Sequence, residues 1–258
     1  MHVHPPKPLH GWKEFLNEIF VIVVGVLIAL GLEQVVEEWH WQHKVHDGEE
    51  RLKAEAQDNF AAAIYQIIVA PCIDQSIEAL EQRVLDSGER LNPAPLVPDR
   101  GEISAVGLQG SVLNTVMTTV DGSAWKSLVA DGTIQHMSVQ EQRRLADLYS
   151  QVSRNEVRLS NMPLGELAKP LPLDPGTRHA LIADLEAVRT ALHGRIVSAG
   201  YIAGDIRNLG WMPPPAQLDF MLRGVGDSQL ARCQTAGRAA VDWRKVLAAQ
   251  PTFEKQGL

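Results

Sequence analysis

The stretch NEIFVIVVGVLIALGLEQVVEEWHWQH, residues 17–43, decides the fold class of this chain. Within it, every residue from Ile19 to Leu32 is apolar or glycine, which makes fourteen positions in a row. A membrane-spanning helix usually needs about 20 apolar residues. A run of this length is also typical of a buried core helix or of the apolar part of a cleaved signal peptide.

The flanks of the run favour a retained membrane span. The helix-compatible segment extends from Trp12 to Trp41, and the run lacks the polar residues at helical spacing that a soluble core helix would show. In a helix, Trp12 and Trp39 would be about 40 Å apart, which matches a bilayer with its interfaces. Because tryptophan prefers the interfacial layer, Trp12, Trp39 and Trp41 are predicted to be membrane-interface anchors.

A signal peptide is the alternative. Lys7 and Lys13 form a weakly basic start, and residues 29–31 (Ala-Leu-Gly) resemble a cleavage site. Glu33 and Gln34 continue the helix without a turn signal, which favours the span. The predicted organisation is a tail over residues 1–14, a transmembrane helix over 15–36, a polar juxtamembrane neck over 37–51 and a helical soluble domain over 52–258.

Five residues share one face of the predicted span: Glu18, Ile22, Gly25, Ala29 and Glu33. Gly25 and Ala29 have the small-x-x-x-small spacing that lets two membrane helices approach closely. Glu18 lies in or at the edge of the hydrocarbon layer, where a carboxylate is costly unless it is paired, protonated or able to reach the headgroups. We predict that this face packs against another transmembrane helix, in a homo-oligomer or a larger membrane complex. The alternative is a lipid-facing helix with Glu18 in the headgroups.

The sequence of the N-terminal helix resembles that of a known group of proteins. Glu18-Ile19 followed by VVGVLIAL, residues 23–30, resembles the start of a widespread bacterial family of uncharacterised single-span membrane-anchored proteins, which reads roughly E-I-x-x-V-x-x-G-[VI]-L-I-A-L. The segment SAWKSLVADGTI, residues 123–134, is similar to a recurring segment of the same group. The neck lacks the Asn-rich sequence of some members. The group has no established activity, so the resemblance implies a domain of unknown function.

The orientation in the membrane is weakly determined by the sequence. Lys and Arg occur in similar numbers on both sides of the run, so the positive-inside rule is nearly silent. We expect a bacterial inner-membrane protein with a cytoplasmic N-terminus and a periplasmic main domain. The two cysteines, Cys72 and Cys233, are far apart and would form a disulfide in such an oxidising compartment, or else remain two buried thiols.

Helical periodicity continues after the span. One helix is predicted from Gln34 to Ala70, with Gly48 as a kink and Pro71 as its end, and a second from about Ile73 to Ser87. Further helices are predicted over about 104–120 (with a short strand as the alternative), around Trp125, from a capping box at Ser138–Glu141 to about 161, from Asp174–Pro175 to about 208, shortly after Pro215, and over about 227–250. No strand pair is evident. The predicted class is therefore all-α, a helical bundle on a membrane stalk.

The neck contains the one pattern that suggests a metal: Glu37, His40, His43 and Asp47. Glu37 and His40 share a helix face, as do His43 and Asp47, so each pair could offer two ligands. The spacing drifts around the helix, and a third ligand would have to come from another helix or another protomer. A hydrated interfacial surface is the alternative interpretation.

Composition and motifs exclude several functions. The net charge is −7, and nucleic-acid binders instead carry clustered basic surface. No nucleophile elbow, phosphate-binding glycine loop or H-E-x-x-H motif is present, so neither an enzyme nor a cofactor is expected. The sequence favours a non-catalytic accessory or scaffold subunit of a membrane assembly. The alternative is a membrane-tethered module that binds or senses a ligand or metal.

Overall fold

The structure is a computed structural model, and it describes residues 11–91, 119–160 and 171–222. It confirms the all-α class. The described chain is dominated by helices α1 (Trp12–Asp86), α2 (Ser123–Ala130), α3 (Val139–Ser160) and α4 (Pro175–Asn208). A 3₁₀ helix, Thr133–His136, joins α2 to α3, and residues 215–222 form a further short helix, α5.

Helix α1 runs unbroken for 75 residues, about 110 Å. Its N-terminal part is apolar enough to cross a membrane, and none of the apolar run is buried. Among the described residues it is the one helix that meets this criterion. The predicted kink at Gly48 does not interrupt the helix.

The predicted helix end at Pro71 is wrong, because α1 continues through this residue to Asp86. A proline inside a helix costs about 3 kcal/mol. On both sides of it, however, α1 buries large apolar side chains, among them Ile68, Ile73 and Ile77. Each buried side chain of this kind contributes about 1.5–3 kcal/mol, so the packing outweighs the local cost.

Helix α4 packs antiparallel to α1. Arg178, in its first turn, donates hydrogen bonds to the carbonyl oxygens of Val84 and Leu85 at the end of α1. Arg189, three turns further, forms ion pairs with Asp74 and Glu81, at 3.0 and 3.3 Å. Helix α3 packs on α4, and the three long helices enclose one continuous apolar core.

The predicted helix caps are confirmed. Glu141 N donates to Ser138 Oγ at 3.2 Å, and Ser138 N donates to the Glu141 carboxylate at 3.0 Å, which is the reciprocal pattern of a capping box. Asp174 accepts from Gly176 N and Thr177 N ahead of α4. The Thr177 hydroxyl also donates to the Asp174 carboxylate. This bond is the largest cause that lowers the pKa of Asp174, and the backbone amides lower it further.

A short strand pair differs from the predicted absence of strands. β1 (Arg90–Leu91) pairs antiparallel with β2 (Leu171–Pro172), Leu91 opposite Leu171. Two residues are too few to produce an alternating pattern, so periodicity does not reveal them. The predicted helix over 227–250 and all but the last two residues of the segment 104–120 lie outside the described residues.

Candidate functional site: the juxtamembrane clasp

The sequence predicts a polar, solvated neck. In the structure, one side of the neck is instead covered by part of the soluble domain. Residues 121–137 pack along α1 from Asn59 down to Trp41, towards the membrane span, and we call this segment the clasp. The backbone of Gly48 is buried beneath it, and Lys44 and Val45 are half-buried. The soluble domain therefore begins to pack within the segment 37–51.

The upper end of the clasp is fixed by two polar residues of α1. Asn59, only 2% exposed, donates to Asp121 O at 2.6 Å and accepts from Asp121 N at 2.7 Å. The Glu55 carboxylate accepts from Ser123 Oγ at 3.1 Å and from Ala124 N at 2.6 Å. Because Ala124 lies at the start of α2, this carboxylate also satisfies a free amide of the helix N-terminus.

An aromatic pair lies behind this end of the clasp. The rings of Trp125 and Tyr149 are stacked, with centroids 5.1 Å apart and an interplanar angle of 3°. Burial raises the pKa of Tyr149, and the nearby Glu55 carboxylate raises it further. The phenol is therefore neutral, and the pair joins α2 to α3.

The middle of the clasp depends on a glycine. A Cβ added at Gly48 would lie 3.1 Å from Leu128 Cδ2 and 3.5 Å from Thr133 Cγ2. The absence of a side chain lets the clasp approach α1 closely. This close approach, rather than a kink, is the structural role of Gly48.

The lower end of the clasp combines an ion pair with an aromatic stack. Lys44 Nζ lies 3.5 Å from the Asp131 carboxylate and 4.7 Å from the centre of the Trp41 ring. The pKa of Asp131 is lowered, first by the Thr133 hydroxyl, then by the Thr133 amide, and also by Lys44. The Trp41 indole stacks on the His136 imidazole, with centroids 3.7 Å apart and an interplanar angle of 12°.

The three predicted interface tryptophans have different surroundings. Trp12 and Trp39 are 71% and 62% exposed to their surroundings, as lipid-facing anchors would be. Trp41 is half-buried against His136, so it contacts the soluble domain in addition to any headgroups.

The predicted metal ligands are not brought to one point. His43 Nδ1 lies 2.9 Å from the carbonyl oxygen of Trp39, and His46 pairs with Glu50 one turn along. Within residues 11–91, 119–160 and 171–222, no group of three or more His, Cys, Asp or Glu side chains is placed to hold a metal ion. The third ligand that Glu37, His40, His43 and Asp47 would need is not supplied by these parts of the chain. The side chain of Cys72 and all of Cys233 lie outside the described residues, so the disulfide stays a prediction.

The predicted packing face continues beyond the span. Successive helix residues are rotated by about 100°, so α1, which has no break, carries the face of Glu18, Ile22, Gly25, Ala29 and Glu33 upward into the neck. Its continuation comprises Val36, His40, His43, Asp47, Arg51, Ala54 and Asp58. All twelve residues are exposed, and we call them together the uncovered stripe.

The clasp covers a different side of α1. Trp41, Gly48 and Leu52 point to the soluble domain, and the centre of the uncovered stripe is about 120° away from them around the helix axis. In the span, every side of α1 lacks contact with the other described elements. In the neck, by contrast, the clasp covers one side of α1 and leaves the side of the uncovered stripe exposed.

A buried polar network between α1, α3 and α4 has no counterpart in the sequence predictions. Asn155 donates to Gln66 Oε1 at 3.0 Å and accepts from Arg195 Nε at 3.2 Å. Burial lowers the pKa of Arg195 to about 10. Asn155 continues the inward spacing of Leu145, Leu148 and Val152, so a polar residue at a core position is the signal that could have revealed the network.

The clasp contacts of Glu55, Asn59 and His136 were also not predicted. They join residues more than 60 positions apart, and such pairs leave no local pattern. Comparisons with protein-family models, with curated proteins and with solved structures find no match to this chain. The family resemblance of the N-terminal helix therefore stays a prediction.

Proposed function

We propose that this protein is a non-catalytic accessory or scaffold subunit of a membrane protein assembly. One span anchors it in the bacterial inner membrane, with the helical domain on the periplasmic side. The partner helix docks along the uncovered stripe of α1.

The observation that carries the proposal is the free side of α1 in the neck. In the neck the clasp packs on another side of the helix, and the stripe from Glu18 to Asp58 stays exposed over 40 residues, about 60 Å. A single anchor without a partner needs no such face. A partner helix running beside α1 could use it in the membrane and above it without displacing the soluble domain.

The chemistry of the stripe supports a helix as the occupant. Gly25 and Ala29 permit a close helix–helix approach in the span. Glu18 and Glu33 flank them with carboxylates that a basic or hydrogen-bonding partner would satisfy. Above the membrane, His43, Asp47 and Arg51 offer polar contacts to the same partner.

Purification from native membranes in mild detergent tests the proposal. The full chain should come out with a partner in fixed stoichiometry, and Gly25→Leu should lose most of it. Gly31→Leu is the matched control, because Gly31 lies in the same apolar run about 120° around the helix from Gly25 and its added side chain also enters open space.

Two results would count against a scaffold. Recovery of the chain alone, as a monomer, would favour the alternative of a tethered ligand-binding module. Equal loss of the partner in Gly25→Leu and Gly31→Leu would show that the span matters but that the stripe does not.

A further inference from the structure

The 3₁₀ helix Thr133–His136 is the point at which the clasp approaches the span most closely. Along the clasp, contacts with α1 descend from Asn59 through Glu55, Gly48 and Lys44 to Trp41. His136, stacked on Trp41, marks the lowest of these contacts. The chain then turns at Met137 and Ser138 and enters α3.

The depth of this contact follows from the helix rise. Val36 is the last residue of the predicted span, and Trp41 lies five residues later, about 7.5 Å along the axis. The headgroup layer on each side of the hydrocarbon core is about 5–8 Å thick. Trp41 therefore lies at the outer part of this layer, and a ring stacked on it lies at the same depth.

The stack holds the two rings together. Centroids 3.7 Å apart and an interplanar angle of 12° leave no room for a lipid between them. The Lys44–Asp131 ion pair holds the preceding turn of the clasp against α1, one helical turn above Trp41. While these two contacts hold, the 3₁₀ helix stays level with Trp41 along the axis of α1.

The chemistry of the 3₁₀ helix suits lipid headgroups. Gln135 and His136 are exposed, whereas Thr133 and Ile134 are buried towards the domain. An amide and an imidazole can donate hydrogen bonds to phosphate and glycerol oxygens. The 3₁₀ helix does not need to insert apolar side chains into the hydrocarbon layer, because the proposed span in α1 already anchors the protein.

We propose that the 3₁₀ helix Thr133–His136 lies in the headgroup layer and contacts lipid through Gln135 and His136, so that the soluble domain is seated on the bilayer surface. This inference rests on the membrane span of the proposed function. It adds a second contact with the membrane, made by a segment almost 100 residues further along the chain.

Photo-crosslinking to lipid tests the contact in the full-length protein. A benzophenone amino acid is placed at position 135, and the protein is reconstituted in vesicles of phosphatidylethanolamine and phosphatidylglycerol. After illumination, lipid adducts are identified by mass spectrometry of the peptides. Position 27 in the span is the positive control, and position 154, on the exposed side of α3 one residue before the Asn155–Gln66 contact, is the negative control.

The expected result is lipid adducts at positions 27 and 135 and none above background at 154. Adducts at 27 but not at 135 would overturn the inference and leave the span intact. Absence of adducts at 27 would instead contradict the anchor of the proposed function. Adducts at all three positions would show that the domain lies flat on the membrane. This result would also contradict the inference that the domain contacts lipid through the 3₁₀ helix. Circular dichroism of each variant checks that the helical content is unchanged.

Discussion

Asp205 is a carboxylate that the fold partly removes from water. Burial in α4, and to a smaller extent the negative charge of Asp147 on α3, together raise its pKa to about 6. A raised carboxyl pKa means that the folded state prefers the protonated form. The folded state therefore loses stability as the pH rises from about 4 through 6, and the loss persists at neutral pH.

Asp205→Asn should consequently raise the unfolding temperature at pH 7.5 and raise it less at pH 4.5. The measurement is thermal unfolding in detergent, followed by near-ultraviolet circular dichroism of the tryptophans, with variant and parent compared at each pH. Asp147→Asn, which removes only the smaller cause, should give a smaller gain. An Asp205→Asn protein with the pH dependence of its parent would contradict this account.

Asn59 tests the importance of the upper end of the clasp. Its amide makes both hydrogen bonds to the backbone of Asp121, and its side chain is buried. Asn59→Ala removes both bonds to the Asp121 backbone, so the free energy of unfolding should fall by about 1–3 kcal/mol. Chemical denaturation of the purified protein measures this change.

Gln42→Ala is the control for Asn59. Gln42 donates to Glu38 one turn away on the exposed surface of the same helix, and such a bond contributes at most about 0.5 kcal/mol. Equal effects of the two substitutions would mean that the clasp is not held by Asn59.

At the scale of elements, Gly48 determines how closely the clasp approaches α1. Gly48→Leu should push Leu128 and Thr133 away from the helix and destabilise the fold by about 1–3 kcal/mol, even though leucine is the better helix former. Gly204→Ala in α4 is the comparison, because nothing lies within 4 Å of its added Cβ. It should stabilise the fold by up to about 1 kcal/mol. A stabilising Gly48→Leu, measured in the same denaturation series, would contradict the close packing.

The helices that were predicted correctly are those with local signals. Ser138 and Glu141 cap α3, and Asp174 caps α4, through contacts within four residues of sequence. The helix end predicted at Pro71 was wrong because α1 buries apolar side chains against segments that are distant in sequence. This burial outweighs the local cost of the proline. The clasp was missed for the same reason, since each of its contacts joins segments that are remote in sequence.

For the candidate site, the sequence could predict the stripe in the span but not its continuation. The small residues Gly25 and Ala29 have a recognisable spacing. The free side of the neck becomes visible only once the clasp shows which side is covered. Likewise, Trp41 was predicted as an interface residue, but its stacking on His136 could not be predicted.

At the scale of the whole molecule, α1 runs without a break from its apolar N-terminal part to the top of the bundle. In the neck, the clasp fixes the soluble domain on one side of this helix. A partner that binds the uncovered stripe would therefore contact a rigid edge with a defined orientation relative to the domain. This is the property expected of a scaffold.

A photo-crosslinking scan around the neck tests this central claim most directly. A benzophenone amino acid is placed singly at stripe positions 40, 43 and 47 and at off-stripe positions 42, 46 and 53, all of which are exposed. The full-length protein is illuminated in native membranes before solubilisation. We predict one defined protein adduct at 40, 43 and 47 and none at 42, 46 and 53, matching the partner that co-purifies with the parent chain. Adducts spread evenly around the helix, or adducts at the off-stripe positions alone, would contradict the account.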